Sequence, residues 1–285
     1  MNIVKGTGGM APDPEAEVKT KKNNLLTRVI SAVVMLPIAV YVILSGGLPF
    51  FLLVSLLTVF ILSEWNGIVE KKPLSILFVV ESFCAILLLL ALNWGSPFLV
   101  YSFICSIVSV FTVAYLVKAN ILWTIIGFLY ALLPSASFLM INENYGGVVI
   151  LWMMILIWSM DTGAYFVGKN IGGPKMSPKI SPNKTWSGLF GGTVTAMIMG
   201  SLFGLYMKNT DTVLFNNATI LIILSGLLSL LSQVGDLAES AVKRAFNVKN
   251  SGTIIPGHGG VMDRIDGVLF VAPAVLVLAY VIYAR

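Results

Sequence analysis

The chain has 285 residues, of which 57% are hydrophobic and only 11% are charged, with a formal net charge of +5. A soluble domain usually carries about 25% charged and about 45–50% apolar residues, so this composition is typical of a membrane protein. It excludes a disordered chain, a coiled coil and a secreted disulfide-rich scaffold. A His/Cys zinc site is also excluded, because the chain has one histidine and its two cysteines lie inside apolar segments.

Apolar segments follow a polar N-terminal tail, which we place at residues 1–24. A helix needs roughly 20 apolar residues to cross a bilayer, and helices satisfy their own backbone groups in lipid. The sequence therefore predicts an all-α polytopic membrane helix bundle with about nine transmembrane helices. The predicted spans are 26–44, 48–63, 74–92, 97–117, 121–141, 147–166, 188–207, 218–234 and 267–284.

The distribution of lysine and arginine predicts that the N-terminus is cytoplasmic, because cytoplasmic loops carry an excess of these residues. In this orientation 16 of the 18 cations lie on the cytoplasmic side, and the other two are Lys208 and Arg285. The two longest polar connections, 167–187 and 235–266, then share that side. A site built from both would face the cytosol and the headgroups of the inner leaflet. We therefore divide the chain into N-terminal transmembrane helices at 25–145 and a catalytic transmembrane region at 146–285.

Small residues recur at every fourth position along the seventh predicted span. They are Gly188, Gly192, Ala196, Gly200 and Gly204. Such a stripe lets two helix backbones approach closely. Packing within one chain and contact between two copies both explain it, and the sequence leaves this choice open.

Charged residues gather in the connection 235–266, directly after an apolar span. If that helix continues, one face of it carries Asp236, Glu239, Ser240 and Lys243. A carboxylate near the membrane boundary is costly. Two explanations fit this face equally well when it is considered alone. Its side chains contact one another and simply end the helix, or they form a functional site.

The next stretch favours a functional site. The glycines of the segment 256–260 allow its backbone to approach a ligand closely, because glycine has no Cβ. Asp263 and Asp266 follow, three residues apart at a predicted helix start, where capping explains one carboxylate better than both. Upstream, Asp161 interrupts the sixth span, where lipid and the helix dipole both disfavour a negative charge.

These residue types suggest one kind of chemistry. Carboxylates bind Mg²⁺ best when substrate phosphates supply the remaining ligands, and nearby lysines and arginines would hold a polyphosphate. The connection 179–186 adds cations and hydroxyls, although it lacks the frame of a P-loop. Together they indicate metal-assisted transfer at phosphorus. Composition and spacing name neither the nucleotide nor the acceptor.

The residues of this region resemble the signature of the phosphatidate cytidylyltransferase (CDP-diacylglycerol synthase) family. The matching pattern is Ser240-x2-Lys243-Arg244-x4-Lys249-Asn250-x5-Pro256-Gly257-His258-Gly259-Gly260-x2-Asp263-Arg264-Ile265-Asp266. Two shorter blocks, 161–165 and 181–186, match further family motifs in the expected order. The resemblance in motifs covers about residues 155–270, whereas the upstream helices match only in hydropathy. This chain departs from the usual family residues at Asn250, where Asp is common, and at Ser187 and Gly267.

The resemblance implies the Mg²⁺-dependent reaction of CTP with phosphatidate to give CDP-diacylglycerol and diphosphate. The metal ligands that it implies are Asp236, Asp263 and, as a further ligand, Asp266. With Asp236 and Asp263, the residues expected to take part in the reaction are Lys243, Arg264 and His258. The residues expected to contact substrate are Asp161, Ser181, Lys184, Thr185, Ser240, Arg244, Lys249, Gly259 and Gly260. His258 is expected to contact phosphate or shape its loop rather than act as a base, and a second cation is left open.

The resemblance also implies partners and a location. The partners are CTP, phosphatidate in the cytoplasmic leaflet, membrane lipid and a second copy of the chain in a homodimer, without nucleic acid. The location is a multi-pass position in a bacterial plasma or inner membrane, with the active site facing the cytoplasm.

Three alternatives remain at this point. A CTP-dependent kinase of a polyprenol or another lipid alcohol would share the bilayer setting, but would need a base for its hydroxyl nucleophile and would release CDP. A transporter of an anionic solute would place broken helices around a midplane site, whereas these charges gather at one membrane face. A scaffold subunit of a membrane complex would leave the aspartate cluster unexplained.

Overall fold

The computed structural model describes residue 33 and residues 36–209, 213–254 and 259–283. Its helices in chain order are α1 (Leu36–Ser45), α2 (Gly47–Val69), α3 (Ile76–Asn93), α4 (Leu99–Leu116), α5 (Ile121–Tyr145), α6 (Gly147–Ile171), α7 (Trp186–Tyr206), α8 (Ala218–Ala245) and α9 (Met262–Tyr283). Between α6 and α7, the strands β1 (Lys175–Ser177) and β2 (Ser181–Thr185) pair as an antiparallel hairpin. Two single 3-10 turns, Met207–Asn209 and Val213–Asn216, lie between α7 and α8.

The predicted all-α membrane bundle is confirmed. In the part of the chain that the structure describes, eight helices, α2 to α9, are long and apolar enough to cross a membrane. The predicted tail at 1–24 lies outside the described residues. The predicted first span, 26–44, does so in large part, and α1 is its described portion.

Several helices extend beyond the apolar segments that predicted them, and three of these extensions reach well into the predicted polar connections. α6 ends at Ile171 and α8 at Ala245, while α9 begins at Met262. Parts of the predicted polar connections 167–187 and 235–266 are therefore helical. Hydropathy locates only the part of a helix that lies in the hydrocarbon, whereas backbone hydrogen bonding continues into the polar turns beyond it.

Side-chain caps explain where four helices begin. The capping oxygens belong to Ser75 before α3, Asn120 before α5, Thr185 before α7 and Asn217 before α8, and each accepts a backbone N–H of the first turn. Such caps satisfy N–H groups that have no partner inside the helix. The cap at Thr185 matters for the site, because it fixes the change from β2 to α7.

The small-residue stripe of α7 packs inside the chain. A Cβ added to Gly188 would lie 2.8 Å from the carbonyl oxygen of Ala164 in α6, and one added to Gly192 would lie 2.6 Å from that of Met160. Toward the other end of α7, a Cβ on Gly200 would meet the Ser225 hydroxyl of α8 at 2.5 Å. The stripe therefore lets α7 approach both α6 and α8, and packing within one chain explains it.

The close contact at Gly192 leads to a stability prediction. Gly192→Ala should destabilise the protein by about 1–3 kcal/mol, because overpacking forces neighbouring backbone to move, here the backbone of α6 around Met160. Thermal unfolding in detergent measures this. Gly67→Ala is the matched control, since its Cβ would meet Pro73 at an ordinary 3.5 Å and alanine is the better helix former. Equal melting temperatures for the two variants would contradict this packing.

Contacts between connections sort the helix ends into two groups. The connections after α2, α4, α6 and α8 meet at one end of the bundle. Their contacts are Lys71 Nζ to Phe246 O at 3.0 Å, Asn120 N to Glu70 Oε1 at 3.1 Å, and Arg244 Nε to Ile180 O at 3.4 Å. At the opposite end Asn142 Nδ2 donates to Ile43 O at 2.8 Å. This alternation is that of helices crossing the bilayer in turn, and it brings the hairpin and the end of α8 together.

Candidate active site

A cavity of about 720 Å³ lies beside the hairpin. Its walls come from α6, the strands β1 and β2, the first turn of α7 and the second half of α8. The charged residues that line it are Asp161, Lys169, Lys175, Lys184 and Asp236. Two regions that are distant in sequence, 161–189 and 233–236, therefore share one concave surface of a size that suits a small-molecule ligand.

The centre of this cavity is an ion pair between Lys184 and Asp236. The Lys184 ammonium of β2 lies 2.5 Å from Oδ2 of Asp236 in α8, and both side chains are partly buried. Ser240, one turn further along α8, donates its hydroxyl to Asp236 Oδ1 at 3.4 Å. Partial exclusion of water strengthens such a pair, and a phosphate entering the cavity would meet both charges.

Two more carboxylates belong to the same electrostatic cluster. Asp161 is exposed to the cavity, and Gln233 Nε2 donates to its Oδ1 at 3.2 Å. Asp266 interacts repulsively with both Asp161 and Asp236, while Lys184 offsets part of this repulsion. Sequence reasoning missed Gln233, a polar residue in an apolar span three positions before Asp236. A polar residue on the same helix face as Asp236, inside an apolar span, was the signal that could have revealed it.

Close packing of α8 against α9 brings Asp236 and Asp266 together. A Cβ added to Gly235 would lie 2.7 Å from the carbonyl oxygen of Asp266. Only a residue without a side chain allows the two backbones to approach this closely. Asp236 is the next residue on α8, and its carboxylate interacts repulsively with that of Asp266.

A second charged cluster lies further along the same helices. Lys243 Nζ contacts Glu239 Oε1 at 3.0 Å and Asp263 Oδ1 at 2.5 Å. The other oxygen of Asp263, Oδ2, accepts the backbone N–H groups of Ser251 at 3.0 Å and Gly260 at 3.3 Å. The predicted face of α8 is thus confirmed as helical, and its lysine binds the carboxylate at the start of α9.

Glu64 of α2 lies behind this cluster, and sequence reasoning missed it. Glu64 is only 3% exposed. It accepts hydrogen bonds from Ser251 Oγ and from the backbone N–H groups of Val261 and Met262. A glutamate inside an apolar span was the signal that could have revealed it.

The described residues contain no group of three or more His, Cys, Asp or Glu side chains positioned to hold a metal ion by themselves. Asp236 and Asp266 share the first cluster, whereas both oxygens of Asp263 already accept hydrogen bonds in the second. Glu239 interacts electrostatically with Asp266 as well as with Asp263. The two clusters are therefore neighbours along one acidic strip of α8 and α9.

Comparison with known proteins identifies the family. Residues 26–282 match the model of the cytidylyltransferase family. The chain belongs to this family. It is 36% identical to the phosphatidate cytidylyltransferase of Brucella suis biovar 1 (strain 1330) over 267 residues, which cover 92% of this chain and 96% of that protein. It is 34% identical to the phosphatidate cytidylyltransferase of Bacillus subtilis (strain 168) over 266 residues, which cover 88% of this chain and 95% of that protein. It is 31% identical to that of Rickettsia bellii (strain RML369-C) over 278 residues, which cover 96% of each chain.

The resemblance drawn from the motifs is thereby confirmed, and it extends beyond them. The matched residues begin at 26 and so include the N-terminal helices, which the motifs had not covered. Bacterial relatives and the eight long apolar helices among the described residues also establish an integral membrane protein.

Other residues of the cytidylyltransferase signature support the clusters or lie at their edge. Thr185 is buried and its hydroxyl accepts the N–H of Gly188 at 3.1 Å, so it caps α7 while lining the cavity. Arg244 donates to Ile180 O and, at 3.3 Å, to Val248 O, which ties the hairpin to the end of α8. Gly259 has a φ of +86°, a conformation that favours glycine.

The remaining predicted site residues fall at several places. Ser181 begins β2 and is half-buried, while Lys249 and Asn250 are exposed after α8. Arg264 lies in the first turn of α9. His258 lies outside the described residues, so its predicted role stays a prediction.

Proposed function

We propose that this chain joins CTP to phosphatidate in the cavity between the hairpin and α8, giving CDP-diacylglycerol and diphosphate. The observation that carries this proposal is the Lys184–Asp236 ion pair, because it joins the family motif 181–186 to the α8 turn that directly precedes the long signature, on one cavity wall. The relatives named phosphatidate cytidylyltransferase match the chain over most of its length. The reaction is therefore that of a membrane nucleotidyltransferase in phospholipid biosynthesis.

The chemistry is a displacement at phosphorus. An oxygen of the phosphatidate phosphate attacks the α-phosphorus of CTP and forms a new P–O bond, while the bond from that phosphorus to the bridging oxygen breaks and diphosphate leaves. A phosphate monoester carries close to two negative charges at neutral pH. The nucleophile thus needs little deprotonation, and the protein contributes mainly positioning and compensation of charge.

The cations of the site suit the phosphate groups. Lys184 and Lys243 each lie beside a carboxylate and are held in place by it. Arg244, Lys249 and Arg264 are the further cations that we assign to substrate phosphates. Lys169 and Lys175, which line the exposed part of the cavity, would meet the headgroup of a lipid.

The donor set also fits Mg²⁺. This ion is usually bound by one or two carboxylates together with substrate phosphates rather than by a complete protein cage. The carboxylates of Asp236 and Asp266 repel each other, so a cation held by these residues would relieve that repulsion. We assign Asp236 and Asp263 as ligands and Asp266 as a further one, and a second cation stays open. Lys243 and two backbone N–H groups already contact the Asp263 carboxylate, so a metal ion there would share or replace these contacts. Bound Mg²⁺ would neutralise charge on the triphosphate and on the departing diphosphate.

The membrane orientation follows from charge. The end of the bundle that carries the site also carries most lysines and arginines, so we place it in the cytoplasm, where CTP is available. Phosphatidate would then enter from the inner leaflet. Homodimerisation stays a prediction without support from the α7 stripe, because that stripe packs within the chain.

The test uses detergent-purified protein with phosphatidate, Mg²⁺ and CTP labelled either in the cytidine or at the γ-phosphate. We expect cytidine label in the lipid and γ label in released diphosphate. Transfer of the γ label to lipid, with release of CDP, would identify a lipid kinase instead. Protein that converts no CTP but moves an anionic solute across vesicles would identify a transporter.

A further inference from the structure

Glu64 is a buried carboxyl group outside the motifs that carry the family signature. It lies in α2, five residues before the end of that helix, and only 3% of it is exposed. Burying a carboxyl group is costly unless hydrogen bonds satisfy it. The donors that satisfy Glu64 come from residues 187 to 198 positions further along the chain.

Those donors belong to the loop before α9 and to the start of that helix. Oε1 accepts the N–H of Val261 at 2.7 Å, while Oε2 accepts the N–H of Met262 at 2.8 Å and the hydroxyl of Ser251 at 2.8 Å. The first N–H groups of a helix have no partner inside it, and a carboxylate is favourable at that end. Glu64 therefore caps α9 from another helix.

Ser251 connects this cap to the charged cluster. Its hydroxyl donates to Glu64, and its backbone N–H donates to Oδ2 of Asp263 at 3.0 Å. Gly260, whose N–H also contacts Asp263, packs so closely that an added Cβ would lie 2.7 Å from Glu64 Oε2. One residue thus holds both carboxyl groups, and the two groups share the same loop backbone.

We propose that Glu64 is a positioning residue for the reaction. By fixing Ser251 and the first turn of α9, it holds Asp263 in the orientation in which that carboxylate contacts Lys243. This inference rests on the proposed function, since Glu64 affects the reaction only if Asp263 takes part in it. It also gives α2, which carries no signature motif, a direct contact with the catalytic region.

Glu64→Gln tests the inference. The amide keeps the size of the side chain but replaces one acceptor with an NH2 group facing N–H donors. We expect kcat/KM for CTP to fall about 10- to 100-fold, as for other residues that orient a ligand. The KM for CTP and the Mg²⁺ concentration giving half the maximal rate should both rise, whereas the KM for phosphatidate should stay within about twofold. Partial unfolding would lower kcat without shifting any of these concentrations.

Hydrogen exchange gives a second measurement that needs no substrate. Backbone amides of residues 259–262 and Ser251 should exchange faster in Glu64→Gln than in the wild type, because the cap is weakened. The matched control is Glu81→Gln. Glu81 is a carboxyl group in α3 that is 1% exposed and accepts from Asn66 Nδ2 at 2.5 Å, without a described contact to this loop. The Glu81→Gln variant should therefore leave the kinetics and the hydrogen exchange of the loop unchanged.

Ser251→Ala provides an independent variant should Glu64→Gln fold poorly. It removes the hydroxyl and keeps the N–H to Asp263, so we expect the same kinetic changes at a smaller size. In the Glu64→Gln/Ser251→Ala double variant, kcat/KM for CTP should lie within about twofold of its value in Glu64→Gln. The effects of two residues that act through each other are not additive. The proposal would be overturned by a wild-type KM for CTP in both single variants. It would also be overturned if Glu81→Gln changed the kinetics as much as Glu64→Gln does, or if the effects of the two single variants added fully in the double variant. Changed loop exchange in a protein that makes no CDP-diacylglycerol would instead contradict the proposed function alone.

Discussion

Asp263→Asn is expected to lower CDP-diacylglycerol synthesis by about a thousandfold, the size of losses when a charge-stabilising group is removed from an active site. The carboxylate of Asp263 accepts from Lys243 on one oxygen and from two backbone N–H groups on the other. An amide offers one acceptor and turns its NH2 group toward donors. Lys243 would keep only Glu239 as its described carboxylate partner, and the proposed metal ligand would be lost.

The measurement is turnover of labelled CTP by purified protein, together with the amount of protein in the membrane fraction. Membrane insertion should be unchanged, because the bundle and its apolar spans are unaltered. Glu143→Gln is the matched control, as it makes the same carboxyl-to-amide change at the opposite end of the bundle, on an exposed side chain of α5. Turnover like that of the wild type in Asp263→Asn would remove Asp263 from the site.

Asp236→Asn should also lower kcat, by about a hundredfold to a thousandfold, and should raise the Mg²⁺ concentration needed for half the maximal rate. Asp236 pairs with Lys184 at 2.5 Å and lies in the same cluster as Asp161 and Asp266. Removing its charge weakens the electrostatic attraction for a divalent cation. It also leaves the Lys184 ammonium without the carboxylate that orients it.

Lys184→Met separates these two effects. It breaks the same ion pair from the other side while keeping the carboxylate, and the long apolar side chain preserves volume. We expect this variant to raise the KM for CTP without raising the Mg²⁺ requirement. A titration of rate against Mg²⁺ for both variants measures the difference. Identical titrations would show that Asp236 serves only to hold Lys184.

The sequence predicted the general architecture because the relevant signals are local. Long apolar segments require helices in lipid, and the one-sided distribution of lysine and arginine predicts how the bundle is oriented in the membrane. The face of α8 that carries Asp236 and Lys243 followed from the helical repeat alone, and the structure confirms it. The motif pattern of residues 240–266 was specific enough to indicate the family, which the matched residues 26–282 confirm.

Pairing between distant residues was out of reach of the sequence. Nothing local indicates that Lys184 of β2 pairs with Asp236 of α8, or that Lys243 of α8 contacts Asp263 of α9. The α7 stripe likewise fitted a dimer contact as well as packing within the chain. These choices depend on how closely α6, α7, α8 and α9 approach one another, which the glycines permit but do not specify.

Hydrophobicity and helical periodicity are properties of neighbouring residues, so the order of the amino acids was enough to predict a membrane-embedded helix bundle with its acids and cations gathered at one end. Only the tertiary structure assigned partners to those charges and revealed Glu64, whose hydrogen-bond donors lie 187 or more residues away. A buried carboxyl group is stable where donors converge on it. That convergence is set by the packing of α2 against the start of α9, which no short segment of the chain encodes.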